Sequence, residues 1–250
     1  MTKISPNLTG KRALVTGGSR GIGAAIARRL GAEGAAVAIT YASSPEAAAS
    51  VVRDIEAAGS KAFAIKADSG SVTELQAAVN AAAERMGGLD ILVNNAGVMV
   101  FGPLGDITPD EFDRAMNVNV RGMFFAAQAA AHHMQAGGRI INIGSNTAVK
   151  SNVAGSSVYT LSKTAVAGMT RALAHDLGPR GITINNVQPG PTVTDMNPAD
   201  GPHAQWILAQ LPVGRMGDAG EIASIVAYLA GPESGYMTGA SLTMDGGMST

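Results

Sequence analysis

The sequence contains no cysteine. That excludes a disulfide framework and any thiolate metal site. Aromatic residues make up only 4% of its 250 residues, with a single tryptophan, Trp206. Charge of one sign is missing too: 18 Lys and Arg stand against 19 Asp and Glu, a net charge of −1. No basic block or stripe interrupts this balance, which argues against a nucleic-acid partner. No apolar run approaches the roughly 18 residues a membrane helix needs. Residues 1–11 are polar and lack the apolar segment of a secretory signal. The expected location is cytoplasmic.

What is abundant points one way. Hydrophobic residues reach 46% and charged residues only 15%, which excludes a disordered chain. Ala, Val, Ile and Leu, with 32 glycines, suit helices packed closely on a sheet better than a β-sandwich. The length fits one large α/β domain.

Short β-like runs alternate with amphipathic helices. Runs at 13–16, 36–40, 62–67, 89–93, 139–143, 182–187 and 240–244 read as strands. Ile22, Ile26 and Leu30 recur at helical spacing, and 45–58 sets Ala48, Val51, Val52 and Ile55 on one face. Ser71 with Glu74, Thr108 with Glu111 and Asp218 with Glu221 have the capping-box pattern of helix starts. The helix from Thr108 is expected to run to about Met134, and another from about Ser157 to Gly178-Pro179. Apolar strands separated by helices imply a parallel sheet covered on both faces, with right-handed crossovers. The stretch 189–218, rich in Pro, Gly and Met, is long for a loop, and such loops are usually functional or disordered.

The first strand runs through Thr16-Gly17-Gly18-Ser19-Arg20-Gly21-Ile22-Gly23 directly into a helix. Glycines permit a tight turn and close approach to a pyrophosphate, and the helix start supplies free N–H donors. The same residues match G-x-S-x-G, the nucleophile elbow of hydrolases. That reading needs an acid and then a histidine downstream, for which His132, His133, His175 and His203 exist. It fails on placement, because the elbow normally follows several strands. A P-loop is excluded, since no Gly-Lys-Ser/Thr follows. About 20 residues on, an NAD site carries an acid for the ribose. Here the chain reads Thr40-Tyr41-Ala42-Ser43-Ser44. Hydroxyls accept a 2′-phosphate that a carboxylate repels, and Arg20 is placed to pair with it. The expected cofactor is NADP(H); the plainer reading makes Arg20 and the serines solvated loop residues.

Tyr159 and Lys163 stand one helical turn apart on the same face. A nearby ammonium favours an ionised phenol, and a tyrosine that exchanges a proton near neutral pH is a general acid/base. Ser145 lies just past the fifth strand, at the edge where open α/β sheets bind ligands. Alone, the Tyr-x-x-x-Lys pair is no different from an ordinary surface helix. Its position and the phosphate loop upstream give it weight.

Together these motifs resemble the short-chain dehydrogenase/reductase family over essentially the whole chain. The family's T-G-x-x-x-G-x-G matches residues 16–23, and its adenine-contacting acid matches Asp68, followed by Ser69. N-N-A-G matches Asn94-Asn95-Ala96-Gly97, the helical active-site asparagine matches Asn119, Y-x-x-x-K matches Tyr159 and Lys163, and P-G matches Pro189-Gly190. The resemblance implies an α/β, Rossmann-type doubly wound domain over 1–250, with a seven-stranded parallel sheet and a substrate loop at about 191–216. NADP(H) would be held by Gly17, Ser19, Arg20, Gly21, Ile22 and Gly23, by Tyr41, Ala42 and Ser43, and by Asp68 and Ser69. Asn95, Ala96, Gly97, Pro189 and Gly190 would complete that site, with Thr192 and Thr194 facing the nicotinamide carboxamide.

The resemblance also assigns roles. Tyr159 gives the proton to a ketone, Lys163 lowers its pKa and holds the nicotinamide ribose, Ser145 orients the carbonyl, and Asn119 supports a water linking Lys163 to solvent. Ser145 lies 14 residues before Tyr159, one more than the commonest family spacing, which some fungal ketone reductases share. Asn146 sits at the common offset, so an exchange of roles stays open; Ser145, directly after Gly144, is taken.

The expected activity is NADPH-dependent reduction of a ketone or aldehyde. The stretches 178–185 and 188–199 resemble a bacterial biofilm-dispersal member linked to a cyclic dinucleotide, which raises a second class, a nucleotide-signal binding protein. A 3-oxoacyl carrier-protein reductase is the third, with Arg121 for an acidic carrier. The resemblance implies a homotetramer, with the helices at 112–134 and 157–177 and the strand at 240–247 at its interfaces. Trp206, with Ile207, Leu208 and Met196, is either a lid over the nicotinamide or a core or interface anchor. His132 and His133 end a helix, Asp90 and Asp195 serve structure, and no metal is expected.

Overall fold

A computed structural model describes residues 7–151, 153–195 and 197–250. Residues 1–6 and 152, and Met196 of the long loop, lie outside the described residues. The strands are β1 (Arg12–Val15), β2 (Ala36–Tyr41), β3 (Ala62–Lys66), β4 (Ile91–Asn94), β5 (Arg139–Ile143), β6 (Thr183–Pro189) and β7 (Ser241–Met244). The helices are α1 (Gly21–Ala32), α2 (Pro45–Ala57), α3 (Val72–Met86), α4 (Pro109–Met116), α5 (Met123–His133), α6 (Ser157–Leu177), α7 (Ala204–Ala209) and α8 (Ala219–Ala230). All seven strands pair in parallel, in the order β3-β2-β1-β4-β5-β6-β7. Each falls on a run read from the sequence.

Two cores explain the continuous apolar character of the central strands. Along β1 and β4, Leu14 and Leu92 face Leu75 and Val79 of α3, Ala126 and Ala130 of α5 and Leu177 of α6. Their neighbours Val15 and Val93 face Ile26 and Leu30 of α1, Val51 of α2 and Val226 of α8. Period-two alternation therefore places an apolar side chain on both faces, and helices cover both. Each such Leu, Ile or Val is worth about 1.5–3 kcal/mol when fully buried.

Helix starts follow local chemistry. Thr108 and Glu111 close a reciprocal capping box with Pro109 at the first helical position, and Asp218 and Glu221 do the same for α8. At Ser71 only half the box forms. Its side chain accepts from the Glu74 amide at 3.3 Å, but the Glu74 carboxylate accepts from the Asp68 amide at 3.0 Å. The helix expected from Thr108 to Met134 is three pieces: α4, a π-helical turn at Asn117–Gly122, and α5. Asp90 is structural, as expected: it takes the Arg12 Nε at 2.8 Å and the Arg12 amide at 2.9 Å. His133 ends α5, bonded to Asn80 of α3. The long segment before Asp218 carries α7 and a small core of its own, Ile207, Leu211 and Met216 with Met248. No helix among the described residues is long and apolar enough to cross a membrane.

Candidate active site

The strand order reverses between β1 and β4. At such a switch point the loops at the carboxyl ends diverge and leave a crevice. The loops after β1 and β4 are joined there by Thr16. Its buried hydroxyl accepts from the amides of Asn95 at 3.0 Å and Ala96 at 3.1 Å. Asn95 returns two bonds from Nδ2, to the Thr16 and Gly17 carbonyls, each 3.0 Å. The fit leaves no room for side chains. A Cβ on Gly23 would lie 2.4 Å from both Asn95 Nδ2 and Gly17 O, and Gly17 itself has a left-handed φ of 61°.

α1 starts at Gly21 with no side-chain cap, so its first amides are free to bind an anion. The glycines open the space and the helix end supplies donors: this loop fits a pyrophosphate. Ser19 and Ile22 flank it, half-buried, while Arg20 is exposed. Among the described residues no histidine is hydrogen-bonded to Ser19, so the hydrolase elbow has no base. Across the crevice, Thr194 Cγ2 lies 3.4 Å from where a Gly21 Cβ would sit. Thr192 is buried and donates to the Gly190 carbonyl at 3.0 Å, next to Pro189 at the end of β6. Tyr41 is half-buried, Ala42 and Ser43 are exposed, and none carries a negative charge. Asp68 and buried Ser69 follow β3; the Asp68 Oδ1 accepts from the Gly70 amide at 2.9 Å. All of these residues lie along one sheet edge.

The second group gathers around α6. Lys163 is 4% exposed, and its ammonium donates to the Ile143 carbonyl at the end of β5, 2.8 Å away. Burial lowers its pKa to about 8. It lies 5.7 Å from the centre of the Tyr159 ring and 3.5 Å from the space a Gly97 Cβ would take. The Tyr159 phenol is pushed above its ordinary pKa by burial, and a hydrogen bond with Ser145 works in the opposite direction. The ammonium is bonded to backbone rather than to the phenolic oxygen, and burial outweighs its pull on the phenol, so the phenol ends above its ordinary value instead of below it.

Ser145 begins a short turn at Asn146–Ala148 and accepts from the Thr147 amide at 3.2 Å. Asn146 turns to Asp245 instead, at 3.4 Å. The two side chains thus point to different partners, Asn146 to the turn after β7 and Ser145 toward Thr147 and the phenol.

Asn119 is fully buried on the π-helical turn. Its Oδ1 accepts from the Val98 amide at 2.8 Å, and its Nδ2 donates to the Val98 carbonyl at 2.9 Å and to Ser162 Oγ at 3.0 Å. Ser162 in turn donates to the Tyr159 carbonyl at 2.7 Å. One amide thus ties the loop after β4 to the helix of Tyr159. A π-bulge often marks a functional position. Here Gly122 lets it press against β3's loop, since a Cβ there would lie 2.3 Å from Ser69 O.

Sequence reasoning did not single out Phe101, whose ring lies 5.6 Å from that of Tyr159, tilted by 31°. It also missed Ser162 and Asp245. Ser162 was readable, being one helical turn from Tyr159; nothing in the spacing announces the other two. Trp206, on α7, is 45% exposed and so is not a core residue. Among the described residues no cluster of three His, Asp or Glu is placed to hold a metal.

A phosphate loop at a switch point, beside a tyrosine whose proton is held by its surroundings, suits hydride exchange with a nicotinamide dinucleotide. That is the chemistry of dinucleotide-dependent oxidoreductases. A family model described as Enoyl-(Acyl carrier protein) reductase matches residues 17–249. The "Cyclic-di-GMP-binding biofilm dispersal mediator protein" of Escherichia coli K12 is 45% identical, over 95% of this chain and 97% of its own. The short chain dehydrogenase/reductase AacuN of Aspergillus aculeatus is 44% identical over 96% of each chain. The crystal structure of a short chain dehydrogenase from Burkholderia cenocepacia J2315, in complex with NADP, superposes with a TM-score of 0.96 at 54% identity, covering 98% of this chain and 100% of the other. The chain belongs to the short-chain dehydrogenase/reductase family.

Proposed function

We propose that the protein reduces a ketone or aldehyde to the alcohol with NADPH. The observation that carries this is the placement of Tyr159. The Lys163 ammonium lies 5.7 Å from its ring centre and 3.5 Å from the space a Gly97 Cβ would take, and the neighbouring Ala96 packs against Gly17 of the phosphate loop. A protonated phenol at that position is a proton donor to a carbonyl oxygen.

When bound, the cofactor supplies the hydride; the protein supplies orientation and electrostatics. Tyr159 Oη passes its proton to the carbonyl oxygen as that oxygen gains charge. Ser145 Oγ donates a hydrogen bond to the same oxygen, and the Lys163 ammonium favours the tyrosinate left behind. Asn119 keeps the loop after β4 against α6, so that Phe101 and Tyr159 form one wall of the pocket.

The phosphate loop, the uncapped start of α1 and the acid-free stretch 41–43 support NADP(H), as does the NADP complex of the Burkholderia relative. We assign the whole chain to one domain, the stretch 191–216 to a closing substrate loop, the assembly to a homotetramer and the location to the cytoplasm. A second reading, a cyclic-dinucleotide sensor, is favoured by the name of the Escherichia coli relative.

Titration with NADPH and NADH, then NADPH oxidation against ketones, aldehydes and acetoacetyl thioesters, separates these. Turnover supports the reductase, and turnover confined to thioesters would mark an acyl-chain reductase. NADPH binding without turnover on any of them favours the sensor, with a cyclic dinucleotide as the next ligand.

A further inference from the structure

β7 ends at Met244, and the chain then turns through Asp245-Gly246-Gly247. Three segments far apart in sequence meet this turn. Asn146 Nδ2, from the buried residue directly after Ser145, donates to Asp245 Oδ2 at 3.4 Å. The Gly190 amide donates to the Met244 carbonyl at 2.9 Å, and a Cβ on Gly190 would lie 2.5 Å from Asp245 Cβ, so Asp245 fills the space that glycine leaves. The Val213 amide donates to the Gly246 carbonyl at 3.3 Å. Gly246 and Gly247 have φ of 63° and 84°, and a Cβ on them would lie 2.7 Å from Val213 Cγ2 and 2.9 Å from Pro212 Cγ. The turn and the base of the 191–216 stretch are therefore in van der Waals contact. Beyond it, Met248 packs on the small core of that stretch, and Lys150 Nζ donates to the Thr250 backbone oxygen at 2.8 Å.

Asp245 also organises the turn itself. It accepts from the Gly247 amide at 3.0 Å and the Ser249 amide at 2.9 Å. Burial works against its charge, but donors from Ser249, Gly247 and Asn146 outweigh that and hold the carboxyl below its ordinary range. A carboxylate is acceptor-only on both oxygens, whereas asparagine has one acceptor oxygen and brings two donors. Three donors converge here, so the nearly isosteric amide cannot satisfy them all.

We infer that Asp245 is a positioning residue: it fastens the Ser145 turn to the base of the substrate loop, so that docking of the loop and alignment of the Ser145 hydroxyl are one event. This rests on the reading of Ser145 as the carbonyl-orienting group.

The test uses Asp245→Asn and Asn146→Ala in the full chain. The first readout needs no activity. Trp206, the only tryptophan, reports on α7, and its emission anisotropy is expected to fall in both variants, with the melting temperature moving by less than about 5 °C. The second is the pH profile for alcohol oxidation with NADP+. Losing the Ser145 bond leaves the phenol harder to ionise, so the ascending limb of kcat/KM should move up by at least about 0.5 pH unit, roughly a threefold change in the ionisation constant. Ser145→Ala should give the same displacement, and adding Asp245→Asn to it should give no more. kcat/KM should fall while the Kd for NADPH stays within about twofold.

Wild-type anisotropy with an undisplaced profile would overturn the inference, as would a double variant displaced further than Ser145→Ala. Should Asp245→Asn fail to fold, Asn146→Ala removes the other partner and carries the same outcomes. A wild-type protein without turnover on any carbonyl would sink the reductase reading instead, and anisotropy would still decide whether the turn holds the loop.

Discussion

The Lys163 ammonium donates to the Ile143 carbonyl oxygen from a site only 4% exposed, with no carboxylate at its side among the described residues. Burying that cation has a cost that pH can reveal. Its pKa falls from 10.5 to about 8 on folding. The folded protein therefore binds the proton less tightly than the unfolded chain. The penalty is fully present below pH about 8 and fades as pH rises toward the unfolded value. We expect cofactor-free Lys163→Met to be more stable than wild type near neutral pH, by on the order of 3 kcal/mol before loss of the Ile143 bond is counted. That advantage should shrink as pH rises toward 10.5. Denaturant unfolding at several pH values checks this; an advantage independent of pH would contradict it.

Gly23→Ala should damage fold and cofactor site together. The added Cβ meets a backbone carbonyl and an amide held in place by two hydrogen bonds, so neither neighbour yields easily. Overpacking of this kind costs about 1–3 kcal/mol. NADPH affinity should drop at least about tenfold, or roughly 1.4 kcal/mol. Gly105→Ala, where nothing lies within 4 Å of the new Cβ, is the control. Equal behaviour of the two variants in thermal melts and NADPH titration would show that the tight fit has no consequence.

Tyr41→Asp places a carboxylate at the end of β2, where the structure has none. It should repel a 2′-phosphate and move the NADP/NAD preference toward NAD by at least about tenfold, a difference of roughly 1.4 kcal/mol. The ratio of the two dissociation constants reads this directly. An unchanged ratio would assign 2′-phosphate recognition elsewhere, with Arg20 as the next residue to replace.

The sheet was legible because strands buried on both faces are continuously apolar, as Leu14-Val15 and Leu92-Val93 illustrate. The phosphate loop was legible because a tight turn restricts residue type at Gly17 and Gly23. What escaped depends on neighbours rather than on spacing. The π-helical turn adds one residue to a helical turn without breaking the apolar pattern, so Asn117–Gly122 looked like uninterrupted helix. Glu74 accepts from the Asp68 amide, while the Ser71 amide donates to the Asp68 carbonyl. The direction of the Tyr159 pKa also escaped, because i,i+4 spacing places Lys163 on the right face but does not say that its ammonium is bonded to Ile143. Phe101 and Asp245 reach the site through loop paths that no local periodicity encodes.

The measurement that tests the central claim most directly is turnover of Tyr159→Phe alongside its NADPH dissociation constant. Removing one hydroxyl leaves the ring, its contact with Phe101 and the cofactor loop in place. The account predicts a loss of carbonyl reduction of at least about a thousandfold, or roughly 4 kcal/mol of transition-state stabilisation, with NADPH affinity within about twofold of wild type. Reduction at a near-wild-type rate would contradict it, because the proton would then come from somewhere other than Tyr159.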